Sequence, residues 1–226
     1  MPRHDDFGID LPVVKANIDT KTKVIFLASP NNPSGNVIDI PDILDLLHRN
    51  IIVVIDEAYF EFSGVTCAEY VLKYPNLIVL RTFSKWAGLA GLRVGYGLFP
   101  ANIIKHLMKI KQPYNVNIAA QVAAIESLKD LPYLRKSITA IIEERGRLMA
   151  SLRKYSWLQL YDSASNFILC RVLKGEARDI YGKLREQGII IRYYNNPDLN
   201  NYIRISVGKS SQTAKLIKAM DKLSPR

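Results

Sequence analysis

No uninterrupted apolar run in this sequence approaches the roughly 20 residues that a bilayer-spanning helix requires, so no such helix organises the chain. The opening stretch MPRHDDFGID lacks the apolar core of a signal peptide, and its acidic residues argue against a transit peptide. Cysteine is scarce. Cys67 and Cys170 stand far apart, form no metal-binding or redox spacing, and read as idle, buried thiols of a reducing compartment. A basic tail is also missing. The 31 Lys and Arg outnumber the 21 Asp and Glu to give a net charge of +10, but acids are interspersed throughout, as in IIEERGRLMASLRK (141–154). That charge favours acidic partners, phosphorylated small molecules among them, yet its main reading is a solvated basic surface. No nucleic-acid-binding signature, internal repeat or low-complexity segment is present. Ordered-looking sequence begins almost at once, so the chain is expected to be a fragment of a longer protein.

What is present is a globular composition, 48% hydrophobic and 23% charged over 226 residues. That length suffices for one large domain or two modest ones. Three short β-branched runs, KVIFLAS (23–29), NIIVVID (50–56) and NLIVLRT (76–82), each end in polar residues and read as buried strands. A helical spacing of Ile40, Ile43, Leu44 and Leu47 lies between the first two, and a short helix candidate at 66–75 lies between the second and third. Strand–helix–strand–helix–strand with apolar strands predicts parallel βαβ units whose strand C-termini share one edge. The next strand-like run, RVGYGLF (93–99), follows too closely for a parallel crossover. It is expected to run antiparallel and to return Arg93 to the edge that carries Lys85.

Further on, 101–113 and 117–130 read as helices, with Asn115 and Asn117 as caps for the second, and 132–154 as one long amphipathic helix. The expected organisation is a first domain over 1–130 and a smaller α+β domain over 131–226, entered by that long helix. Within the second domain, strands are predicted at 157–161, 166–172, 189–194 and 202–207, and helices at 175–187, ended by Gly188, and at 210–223.

In open α/β sheets, ligands bind beyond the carboxyl ends of the strands. Here strand one ends in SPNNPSG (29–35), strand two in DEAYFEF (56–62) and strand three in TFSK (82–85). Each alone has a plain structural reading: a turn, a helix cap, a packed phenol, a solvated charge. Together they supply an amide, a carboxylate with a phenol three residues on, and two hydroxyls flanking a lysine. Pyridoxal 5′-phosphate needs such a set. Its aldehyde needs a lysine amine, its ring nitrogen a carboxylate, its phenolic oxygen polar donors, and its phosphate hydroxyls and an arginine. Asp56, Tyr59, Asn32, Thr82, Ser84, Lys85 and Arg93 match those needs.

SPNNPSG, VVIDEAYFEF and RTFSKWAGLAGLRVGYG resemble the fold-type I aminotransferases, most closely the histidinol-phosphate aminotransferases. The resemblance implies a mixed, mostly parallel sheet with helices on both faces, joined to a C-terminal α+β domain. It implies that Lys85 carries the cofactor and moves the substrate proton, that Asp56 pairs with the ring nitrogen, that Asn32 and Tyr59 bond the ring oxygen, and that Thr82, Ser84 and Arg93 bind the phosphate. GIIIRYYNNPDLNNYIRISVG (188–208) is similar to the substrate-binding end of that family. There Arg204 would grip the substrate anion, and Arg192 would sit near its phosphate.

The implied reaction moves an amino group between histidinol phosphate and glutamate in histidine biosynthesis, in a homodimer with no nucleic acid or membrane involved. The implied compartment is the cytoplasm, or the plastid in a plant. Relative to the family, the chain begins inside the large domain. The glycine-rich phosphate turn, the aromatic residue that stacks on the cofactor ring and an N-terminal substrate tyrosine are expected to belong to a part of the family's chain that precedes this sequence. Related readings are an aromatic aminotransferase, an enzyme like threonine-phosphate decarboxylase, or a catalytically inactive truncated form.

Overall fold

The computed structural model describes residues 3–223. They form two compact units, one comprising the residues up to Asn31 with Asn36–Lys136, the other Asn32–Gly35 with the residues from Ser137 onward.

The first unit is built on a four-stranded sheet in the order β1 (Val24–Ala28), β2 (Ile52–Asp56), β3 (Leu77–Thr82), β4 (Gly95–Leu98). The first three strands are parallel and β4 is antiparallel to β3, as the short 83–92 connection predicts. Parallel pairing aligns Ala28 with Asp56 and Asp56 with Leu80, so the three strand ends arrive at one edge. Val53, Ile55, Leu77 and Val79 are fully buried in a core shared with Ile43, Leu46 and Leu47 of α2 (Ile40–Leu47). That helix covers the Ile40, Ile43, Leu44 and Leu47 spacing and starts at the extended Asp39 with a proline in its first turn.

Two expectations are corrected here. β1 is not buried on both faces: it lies at the sheet edge and leaves Phe26 73% exposed. The helix candidate at 66–75 is only a 3-10 turn over Ala68–Leu72, because the Cys67 amide and Thr66 hydroxyl are tied to the Glu57 carboxylate ahead of it. Two short helices, α1 (Leu11–Ala16) and α3 (Phe60–Ser63), were not anticipated. The first had a readable signal, since Asp10 caps it by accepting from the Val13 amide at 2.9 Å and Pro12 stands in its first turn.

Beyond β4 come α4 (Ala101–Ile110), α5 (Ile118–Lys129) and the long α6 (Leu131–Leu152). Asn117 caps α5, accepting from the Ala120 amide at 2.8 Å. The division between the units falls inside α6.

The second unit is an antiparallel sheet in the order β5 (Leu158–Leu160), β6 (Phe167–Val172), β8 (Tyr202–Ser206), β7 (Arg192–Tyr193), with α7 (Ala177–Glu186) and α8 (Ser210–Met220). Its core is fully buried at Ile168, Cys170 and Ile203 and includes Leu184 and Met220 of the helices. β7 is shorter than the 189–194 run suggests. Gly188, at φ +70°, ends α7, and the Ile189 amide is spent on the Leu184 carbonyl at 2.9 Å, so residues 188–189 belong to the helix terminus rather than the strand. No helix among the described residues is long and apolar enough to cross a membrane.

Candidate active site

In the first unit the candidate residues stand at the carboxyl edge of β2 and β3. Asp56 ends β2 and is exposed; its Oδ1 accepts the Ala58 amide at 2.9 Å, and it joins no ion pair among the described residues. Tyr59 is buried three residues later. Lys85 is exposed and its Nζ lies 5.8 Å from the centre of the Tyr59 ring. Thr82 ends β3, and its hydroxyl donates to Ser84 Oγ at 2.8 Å while accepting the Ser84 amide at 3.1 Å. The two hydroxyls are thus paired by the turn that leads to Lys85.

The 83–92 loop closes on itself. Phe83 donates to the Val94 carbonyl at 3.2 Å, and its own carbonyl accepts from Leu89 at 3.1 Å. Thr82 lies opposite Gly95, where a Cβ would stand 2.7 Å from the Arg81 carbonyl oxygen, so glycine is what lets β4 approach. Arg93 differs from its expected place at the start of the strand. It is exposed, adopts a left-handed backbone at φ +57°, and caps the 3-10 turn Ala90–Leu92 with its Nη1 on the Ala90 carbonyl at 3.1 Å. The reason is local: the turn must reverse before Val94 can meet Phe83.

Behind this edge lies a cluster that the sequence did not disclose. The Glu57 carboxylate, 1% exposed, accepts from Arg81 Nε at 3.0 Å and Nη2 at 2.9 Å, from the Thr66 hydroxyl at 2.8 Å and from the Cys67 amide at 2.6 Å. Arg81 also lies over the Phe60 ring at 3.7 Å. Nearby Glu61 has a carboxylate oxygen that is buried without a partner. Burial pushes its pKa up to about 7, the Arg81 charge opposes that rise and the Glu57 charge adds to it. Burial also pushes the Cys67 thiol up to about 12, so it is inert. The only hint of this cluster in the sequence is that Glu57 and Arg81 directly adjoin Asp56 and Thr82.

In the second unit, Arg192 on β7 stands directly opposite Arg204 on β8. Arg204 Nη1 donates to Asn32 Oδ1 at 2.5 Å, and its guanidinium lies 4.7 Å from the Phe167 ring centre. Asn32 is exposed within the SPNNPSG turn, whose Gly35 packs against Ser163. The structure therefore brings together Thr82 with Ser84, Lys85 with Tyr59, Asn32 with Arg204, and Arg204 with Arg192 across the ladder.

A family profile described as "Aminotransferase class I and II" matches residues 1–220. The chain belongs to the class I and II aminotransferases. This aminotransferase chain is 47% identical over 223 residues to the histidinol-phosphate aminotransferase of Dehalococcoides mccartyi, an alignment covering 99% of the chain and 62% of that relative. Its fold matches the crystal structure of the histidinol-phosphate aminotransferase from Clostridium acetobutylicum with a TM-score of 0.88 at 28% identity, over 95% of this chain and 67% of that one. It also matches the Sinorhizobium meliloti enzyme in complex with pyridoxal-5′-phosphate with a TM-score of 0.84 at 29% identity, over 99% and 64% of the two chains. The fold is that of the fold-type I aminotransferases. The chain spans about 62% of the length of its Dehalococcoides relative.

The residues present suit the cofactor of that family. An exposed carboxylate without a cation, an exposed amine without an anion and a pair of bonded hydroxyls at one sheet edge are the donors and acceptors a pyridine nitrogen, an aldehyde and a phosphate call for. Among the described residues no group of three His, Cys, Asp or Glu could hold a metal ion.

Proposed function

We propose that the whole protein to which this chain corresponds is a histidinol-phosphate aminotransferase. It would exchange an amino group between histidinol phosphate, or its ketone imidazole acetol phosphate, and the glutamate/2-oxoglutarate pair. The observation that carries the reading is the Lys85 amine, exposed beside the Tyr59 ring and outside any ion pair among the described residues, at the sheet edge that also presents Asp56, Thr82 and Ser84. Pyridoxal 5′-phosphate, when bound, supplies the electron sink that makes the substrate Cα proton removable.

Lys85 would hold the cofactor through its amine and, with that amine released and neutral, would serve as the base for the substrate proton. Asp56 would keep the ring nitrogen protonated, because a nearby carboxylate favours the charged pyridinium. Tyr59 would donate to the ring oxygen, a role that the family resemblance also gives to Asn32. The Thr82 and Ser84 hydroxyls bind the phosphate together with Arg93, whose planar fork suits a phosphate in a bidentate way. Arg204 holds the substrate carboxylate and Arg192 the phosphate of the phosphorylated amino alcohol. Residues 1–130 serve as part of the cofactor domain and 131–226 as the small domain. The working form is a homodimer, in the cytoplasm or in the plastid of a plant.

The test is spectroscopic. The purified chain, mixed with pyridoxal 5′-phosphate, should develop a band near the visible edge that borohydride fixes as a mass addition on Lys85. Addition at another lysine would overturn the site. In a protein of the relatives' full length, turnover of histidinol phosphate should exceed that of phenylalanine; the reverse preference would overturn the substrate.

A further inference from the structure

The β7–β8 pair opposes two arginines, Arg192 and Arg204, in an antiparallel ladder. Like charges directly across a ladder repel, and neither residue has a carboxylate partner among the described residues. The guanidinium of Arg204 is only partly used: Nη1 donates to Asn32, while Nε is buried and has no partner among the described residues. A second orphan lies in the same unit. Tyr194, just past the end of β7, has a buried hydroxyl with no partner among the described residues. The Arg192 guanidinium lies 5.5 Å from its ring centre. Burial raises the Tyr194 pKa, and the charges of Arg204 and Arg192 act on the same phenol in the opposite sense. The hydroxyl therefore stays a neutral donor at physiological pH. Buried donors without acceptors are costly and rare, and two of them beside an uncompensated arginine pair call for an oxygen-rich anion.

We propose that the Tyr194 hydroxyl is a third donor to the anionic end of the substrate, in company with Arg204 and Arg192. The chemistry it recognises is a carboxylate or phosphate oxygen. This rests on the proposed reading of the second unit as the substrate-binding one.

The 226-residue chain is titrated separately with inorganic phosphate and with 2-oxoglutarate, following the Arg204 Nε–H resonance, identified by its loss in Arg204→Lys. At least one anion should move that resonance, and Tyr194→Phe should raise the dissociation constant of that anion roughly tenfold, the effect of one hydrogen bond to a charged group. An effect confined to phosphate assigns Tyr194 to the phosphorylated substrate; one confined to 2-oxoglutarate assigns it to the dicarboxylate. In anion-free buffer the thermal midpoint of Tyr194→Phe should equal or exceed that of the unaltered chain, because an orphan hydroxyl has been removed. A fall in midpoint would reveal a structural partner and overturn the proposal. So would a resonance that neither anion moves, or dissociation constants unchanged within about twofold. Failure of the whole protein to turn over histidinol phosphate would sink the proposed function and leave this binding result standing.

Discussion

Arg81 and Glu57 meet at 2.9 Å in an ion pair whose acid is almost wholly enclosed. Glu57 immediately follows Asp56 at the end of β2, and Arg81 immediately precedes Thr82 at the end of β3. The pair therefore braces the two strand ends that carry the candidate cofactor ligands. Strand alternation turns Glu57 and Arg81 away from the face that Asp56 and Thr82 occupy, so bracing and binding do not compete for the same side chains.

Breaking this pair on one side should be severe. Arg81→Met leaves a buried carboxylate with only Thr66 and Cys67 as donors, and should cost about 3–5 kcal/mol of stability. Urea denaturation of the two chains measures the difference. A loss below about 1 kcal/mol, typical of an exposed pair, would show that the pair is solvated.

Glu61 makes stability depend on pH. Its folded pKa, about 7, lies above the ordinary value of 4.5, so between these two pH values the folded chain binds the extra proton. Stability contributed by the neutral carboxyl is full below the ordinary value and falls as pH rises toward 7. Glu61→Gln, which stays neutral, should flatten that part of the profile. Thermal midpoints measured across this range for both chains check it; parallel profiles would refute the assignment.

Gly35 has a φ of +82°, and a Cβ there would stand 2.2 Å from Ser163 Oγ and 3.0 Å from Ser163 Cα. Gly35→Ala should therefore destabilise the chain by roughly 1–3 kcal/mol, the cost of a strained backbone position, to which the clash with Ser163 adds. Pairing it with Ser163→Gly should recover only the part due to the Ser163 side chain. Full recovery would mean that the backbone conformation carries no cost.

In a protein of the relatives' full length, Lys85→Ala should abolish transamination, whereas Arg93→Ala should weaken cofactor binding and leave residual turnover at saturating cofactor. Steady-state rates against cofactor concentration separate the two. Retained activity in Lys85→Ala would refute its role.

Much of the first unit was legible because its signals are local. Apolar β-branched runs spaced by helix-length segments specify parallel strands, and a ten-residue connection containing glycines specifies a reversal, so the edge that gathers Asp56, Lys85 and Thr82 could be read directly. Other elements were legible only in part. Leu77 and Val79 look no different in the sequence from Val24 and Phe26, yet the first pair is central and buried and the second lies on an edge and is exposed.

The sequence by itself determined the carboxyl ends of β2 and β3, the antiparallel return of β4 and the residue types offered at the edge, since these follow from periodicity, turn chemistry and chain length. Only the tertiary structure decided which side chains meet across it. Glu57 finds Arg81 24 residues away, Arg204 finds Asn32 172 residues away, and Arg192 faces Arg204 through strand register. Alternation tells which face a residue occupies, but its partner there depends on how distant strands align, and no local pattern encodes that alignment.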